Sequence, residues 1–239
     1  MHYRHCGFVT ASEGHERETT PTLRAGAVRE AGVNVAIITL RHCRGLSASL
    51  ADAPLLKSFA EVRRAQRLGP ASARAHRALF AGLLPDADPD PALPDHSLPA
   101  ELCESGYQTV GVGQDPCFED SELVTGFESF RRLDHDAPEQ LAALIDGIDV
   151  QRPFFAFANL KDTRFARNTT LVDQVAAVQR VDAALPSFIS ALPANTLVIT
   201  ASDHGVCFGE GNCWGPRKDH PSHRDVFTVR FRLDGEPCP

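Results

Sequence analysis

The sequence predicts an α/β three-layer sandwich, a mostly parallel sheet flanked by helices, and three observations predict it. Short apolar runs rich in β-branched and aromatic residues recur along the 239 residues, helix-forming stretches separate them, and several runs stop abruptly at polar or charged residues. Strands alternating with helices imply parallel pairing in a doubly wound sheet. Such sheets bind ligands outside the carboxyl ends of their strands.

The elements follow in order. Residues 1–32 form a polar N-terminal extension with a helix after Thr20-Pro21. Val33–Leu40, bounded by Gly32, reads as a buried strand. Residues 47–67 suit one helix, with Leu55, Phe59 and Val62 on one face, broken by Gly69-Pro70. Ser72–Leu84 is a second helix, stopped at Pro85, and 86–96 is an Asp- and Pro-rich loop. Leu98–Ser105 is helical with Gly106 just past its end, and Gln108–Gly113 is a strand. Pro138–Ile148 is a helix, Pro153–Asn159 a strand, and Thr170–Leu192 a long amphipathic helix kinked or divided at Pro186. Thr196–Ala201 is a strand, and Val226–Phe231, which alternates, reads as an edge strand. No repeat or linker divides the chain, so residues 1–239 are expected to form a single domain.

Composition limits the function. Hydrophobic residues make up 43% and charged residues 23%, which is globular rather than disordered, and the net charge of -7 argues against a nucleic-acid partner. No run approaches a membrane span. The seven cysteines form no CxxC pair and no framework spacing. Together with a polar Met1–Cys6 start, this predicts reduced thiols in a cytoplasmic protein.

Three strand ends carry the chemistry. Leu40 is followed by Arg41-His42-Cys43-Arg44, Asn159 by Leu160-Lys161-Asp162-Thr163-Arg164, and Ala201 by Ser202-Asp203-His204-Gly205. Asp203 and His204 side by side suit a divalent ion (Zn, Mn, Mg or Ca), and His220 lies sixteen residues after His204, beyond a Gly-containing loop. Ser72 opens its helix, where a serine is ordinarily an N-cap but where an anion or alkoxide is also stabilised.

These pieces resemble the alkaline-phosphatase/sulfatase superfamily, most nearly its short bacterial sulfatase-like metalloenzymes. The resemblance runs through Ala75–Pro85, Glu104-Ser105-Gly106-Tyr107-Gln108-Thr109, Pro153–Asn159 and Ser202–Pro221, the last including Phe208-Gly209-Glu210 and His220-Pro221. It implies a hydrolase or transferase acting on a phosphate or sulfate ester, a small anionic substrate. Ser72 falls at the family's nucleophile, Asp203 and His204 at metal ligands, and His220 at a later ligand or a substrate-contacting histidine. His76 matches a histidine of the close relatives.

Two positions depart from the family. Arg41 stands where the first strand usually ends in a metal-binding aspartate, and Arg164 where a histidine ligand is usual. Arginine offers a metal no lone pair. Three readings remain open: a reduced metal site on Asp203, His204, His220 and Asp162; arginines that bind the anion directly in place of metal; or an inactive relative acting as an anion- or partner-binding module. A rival metal reading groups His204, Cys207, Cys213, His220 and His223 around a structural zinc. Cys43, between Arg41 and Arg44, reads as a buried residue or a reactive thiol.

Overall fold

The first strand, β1 (Asn34–Leu40), shows how the sequence pattern becomes layers. Ala36, Ile38 and Leu40 pack into one hydrophobic cluster and Val35 and Ile37 into another, so alternate residues face opposite sides of the sheet. The computed structural model describes residues 32–59, 63–65, 71–82, 97–119, 122–216 and 220–233. The N-terminal extension before Gly32, Val62, Gly69-Pro70, Leu83–Pro85 and the loop 86–96 lie outside the described residues.

The remaining strands are β2 (Arg63–Ala65), β3 (Gln108–Gly113), β4 (Ser129–Arg132), β5 (Phe154–Leu160), β6 (Thr196–Ser202), β7 (Cys207–Phe208), β8 (Trp214–Gly215) and β9 (Val226–Arg232). Seven of them form one sheet in the order β2-β9-β6-β1-β5-β3-β4, and β7 and β8 form a separate two-stranded hairpin. β4, β3, β5, β1 and β6 run parallel. The helices are α1 (Gly45–Leu50), α2 (Pro54–Phe59), α3 (Ser72–Ala81), α4 (Leu98–Glu104), α5 (Ala137–Gly147), α6 (Leu171–Ala191) and α7 (Pro221–Arg224). Ala48 of α1, Leu56 of α2, Leu141 and Leu144 of α5, and Val178, Val181 and Leu185 of α6 cover one face. Phe80 of α3 and Leu98 and Leu102 of α4 cover the other, with Phe118, Phe155 and Phe157.

The structure corrects three local expectations and adds one strand. Residues 47–67 are not one helix: Ala51 is extended, Pro54 opens α2, and β2 follows. Proline suits the first turn of a new helix and not the interior of an old one. Asp182 of α6 accepts hydrogen bonds from the backbone N–H groups of Leu55 (3.3 Å) and Leu56 (2.7 Å), capping α2 from outside. β9 is not an edge strand: it lies between β6 and β2, antiparallel to both. α6 runs undivided through Pro186, which is exposed, so the missing N–H falls on the solvent side. β4 was not expected; in Ser129-Phe130-Arg131-Arg132 only Phe130 is half-buried, and one apolar residue among exposed ones carries no clear period.

Candidate active site

β1 lies at the centre of the parallel strands, and the chain departs from it to both sides, so the carboxyl ends of β5, β1 and β6 frame a crevice. Four sequence segments meet there: the turn after β1, the turn after β5, the turn after β6 and the N-terminus of α3.

Asp203 is the hub. It is 1% exposed, and its Oδ1 accepts from the backbone N–H of His42 (2.7 Å) and of His204 (2.7 Å). Its Oδ2 accepts from the Ser72 hydroxyl at 2.7 Å. Burial opposes the charge, but the surrounding His204, His42 and His76 and the Ser72 hydrogen bond hold the carboxyl below its usual range. His204 Nδ1 lies 3.0 Å from the Gly205 carbonyl, so it carries the ring proton and the Nε2 lone pair faces Ser72 Oγ at 3.5 Å. His204 Nε2 is 3.9 Å from Asp203 Oδ2.

Ser72 is therefore not the expected N-cap. Ala71 occupies the cap position and Ser72 the first helical one, with its side chain committed to Asp203. α3 is held in place by His76, one turn on. His76 Nδ1 donates to the Ser72 carbonyl (2.7 Å), and Nε2 accepts from Asn159 Nδ2 (3.3 Å) beside the Thr39 hydroxyl. Thr39 and Asn159 are the polar last turns of the same sheet face that packs Phe80. Burial pushes the His76 imidazole below its usual range, so it is a neutral positioning group that fixes Ser72 over the sheet edge.

Sequence reasoning gave His42 no role and placed His223 only in the rival zinc group. The ring of His42 lies 4.7 Å from that of His204, and His223 stacks on His204 at 4.6 Å. His42 has a positive φ of 62°, an uncommon state for a non-glycine residue, and its Nδ1 accepts from the Phe165 N–H. Desolvation lowers its pKa to about 4. Gln174 of α6 was also missed. It accepts from the Arg44 N–H and the Ser47 hydroxyl and donates to the His42 and Thr163 carbonyls, tying the turns after β1 and β5 together.

The arginines differ from each other. Arg41 follows β1, and its Nε pairs with Asp115 Oδ2 at 2.7 Å. Asp115, just past β3, has its charge opposed by burial but sustained by the Cys117 N–H and Arg41, which hold its carboxyl below the usual range. Arg164 is exposed, and its backbone N–H bonds to the Lys161 carbonyl. Cys43 is fully buried in the core, and burial pushes its thiol up, which corrects the reactive-thiol expectation.

Nor are the four expected metal ligands brought together. Asp162 turns to the Ala137 N–H at the start of α5, and burial raises its carboxyl. His220 Nδ1 accepts from the Ser222 N–H and so caps α7, and the histidine against His204 is His223. Among the described residues, no third His, Cys, Asp or Glu donor joins Asp203 and His204 within ligating reach; the only such trio is Cys207, Cys213 and His220. At the Ser72 centre Asp203 accepts three hydrogen bonds, and Arg41 at the first strand end offers a metal no lone pair, so of the four expected ligands Asp203 and His204 are the two placed beside Ser72. The thiols are corrected too: Cys207 and Cys213 form a disulfide, while Cys43, Cys103 and Cys117 are reduced. No helix among the described residues is long and apolar enough to cross a membrane.

Comparison with known proteins agrees on the fold. No protein-family model matches the chain. It is 33% identical over 112 residues to phosphopentomutase from Deinococcus radiodurans, covering 44% of this chain and 26% of that protein, so the chain spans about a quarter of that relative's length. A Vibrio parahaemolyticus protein of the alkaline phosphatase superfamily superposes with a TM-score of 0.58 at 16% identity, over 86% of this chain and 61% of that one. The C-terminal periplasmic domain of phosphoethanolamine transferase EptC from Campylobacter jejuni gives 0.64 at 12% identity, over 83% and 78%. A 2-O GAG sulfatase gives 0.61 at 14% identity, over 86% and 66%.

Proposed function

We propose that this chain, which has the fold of the alkaline phosphatase superfamily, is a hydrolase or transferase of phosphate or sulfate esters that uses Ser72 as its nucleophile. The observation that supports it most is a buried serine hydroxyl at a helix N-terminus, 2.7 Å from a carboxylate and facing an imidazole lone pair. Proteins of related fold act on phosphate or sulfate groups, as the transferase and sulfatase above do by name.

The chemistry follows from the chain's own groups. The Ser72 hydroxyl turns its proton from Asp203 Oδ2 to His204 Nε2, whose other nitrogen is fixed by the Gly205 carbonyl, and Ser72 Oγ attacks the phosphorus or sulfur as that proton is transferred. Asp203, held ionised, stabilises the resulting imidazolium. The ester oxygen leaves with its bonding electron pair on the side opposite Ser72 and takes a proton from solvent. The positive end of the ten-residue α3 favours both the anionic substrate and the developing alkoxide. Water or an acceptor alcohol then attacks the seryl ester and loses its proton to solvent; the Ser72 oxygen leaves with its bonding pair and takes its proton back from His204, which returns the chain to its starting state.

A small anion is the proposed partner, and no role for nucleic acid or membrane is proposed. A cytoplasmic setting belongs to the same proposal and predicts that the Cys207–Cys213 bond is open there, because reducing compartments keep such pairs as thiols; alkylation of the protein inside cells reads this directly. The function is tested by assaying aryl phosphate monoesters, phosphate diesters and aryl sulfates with and without added divalent metal. Turnover that Ser72→Ala abolishes supports the proposal. Absence of turnover under every condition, with an anion still bound, favours a binding module instead.

A further inference from the structure

We propose that Cys207, Cys213 and His220 form a redox-gated Zn2+ site, closed as a disulfide and opened to metal by a dithiol reductant. The two sulfurs and one imidazole nitrogen all lie within 4.8 Å of one another. Thiolate and imidazole donors are the set that Zn2+ prefers, and three protein ligands leave a position for water. The site is separate from Ser72 and does not depend on the reaction proposed above.

The backbone, not the disulfide, presents the donors. β7 and β8 pair Cys207 with Gly215 and Phe208 with Trp214. The Gly209 N–H donates to the Cys213 carbonyl (2.8 Å), and the Cys213 N–H to the Glu210 carbonyl (2.9 Å). These bonds survive reduction, so the sulfurs stay apposed once the S–S bond opens. Cys207 is buried, but Cys213 and His220 are half-buried, which leaves one sulfur for a reductant to attack and one open side for metal. Both carboxylate oxygens of nearby Glu210 are engaged, by Arg44 and by the Phe208 N–H, so Glu210 is not the fourth ligand.

The exchange balances. The dithiol passes two electrons to the S–S bond and leaves as its own disulfide, and Cys207 and Cys213 become thiols. Binding Zn2+ then releases a proton from each thiol. Ligation through His220 Nε2 moves the ring proton to Nδ1 and gives up the cap bond from the Ser222 N–H. That bond belongs to α7, which carries His223 onto His204, so the metal site adjoins the reaction centre through one short helix.

The test uses the full chain, reduced with a dithiol, freed of reductant without oxygen and titrated with Co2+, with Zn2+ as competitor. The expected result is one equivalent of Co2+ with a thiolate-to-metal absorption band in the reduced protein, displaced by Zn2+, and no band in the oxidised protein. Cys213→Ser removes the band. His220→Asn, which keeps an N-cap acceptor, weakens binding by roughly tenfold or more. Asp203→Asn retains the band, which separates this site from the Ser72 centre. Circular dichroism of each variant verifies folding. The proposal is overturned if the reduced wild type, with its thiols counted intact, shows no band. It is equally overturned if the band persists in Cys213→Ser, or if His220→Asn binds as tightly as wild type.

Discussion

His42 and Asp203 give the site its pH response. His42 has a folded pKa of about 4 against an ordinary 6.5. Between these values the unfolded chain binds a proton that the folded one refuses, so stability falls as pH drops from 6.5 to 4. The expected loss is roughly 2–4 kcal/mol. Neutral, buried His76 acts in the same direction. Asp203 acts lower: its folded carboxyl is depressed, so its contribution is complete above the unfolded value and is lost as pH falls through the folded one. His42→Asn tests the first statement, because asparagine tolerates the positive φ and keeps an acceptor for the Phe165 N–H. Urea unfolding at stepped pH should show a flatter slope from 6.5 to 4 in the variant; an unchanged slope would mean that the His42 ring is not held neutral by burial. Gln174 makes a second residue-level prediction. Gln174→Leu strands four polar groups in the turns after β1 and β5 and should cost about 2–4 kcal/mol by denaturant unfolding.

At the scale of elements, the turn after β6 and α7 meet without clearance. A Cβ at Gly205 would lie 2.0 Å from the Ser222 carbonyl oxygen, and the Gly205 N–H donates to the His223 carbonyl at 3.0 Å. The glycine of Ser202-Asp203-His204-Gly205 is therefore there for backbone approach. Gly205→Ala should push α7 away, separate His223 from His204 and cost about 1–3 kcal/mol or more. Thermal melting should show the loss, and turnover should drop beyond what lost stability explains; a variant with wild-type melting and activity would contradict the packing argument. The positioning role of α3 is read through His76. His76→Leu breaks its bonds to the Ser72 carbonyl and Asn159, so kcat should fall while the affinity for an inert anion such as sulfate stays near wild type.

Across the whole molecule, the layered fold was legible because β1 and β5 are largely apolar runs buried on both faces, and β3 and β6 are short β-rich runs buried along most of their length. β9 was legible as a strand but not as an interior one, since alternation reports a half-wet face and says nothing of what pairs with the outer edge. Ser72, Asp203 and His204 could be named from motif order, while Asp115 could not. Its partner Arg41 follows β1, with β5 between β1 and β3, and no local pattern reveals that sheet order. The roles of His42 and His223 were hidden for the same reason: they lie in ring contacts with His204, made only after separate turns converge. The disulfide escaped because a spacing of six residues matches no common framework. The central claim is that the Ser72 hydroxyl, held by Asp203 and facing His204, is a nucleophile. Rapid acid quench of the protein with an aryl phosphate or aryl sulfate, followed by peptide mass spectrometry, tests it most directly. The account predicts a phosphoryl or sulfuryl adduct on Ser72, absent from Ser72→Ala and accumulating more slowly in His204→Ala. Turnover without any adduct on Ser72, or an adduct on another residue, would contradict it.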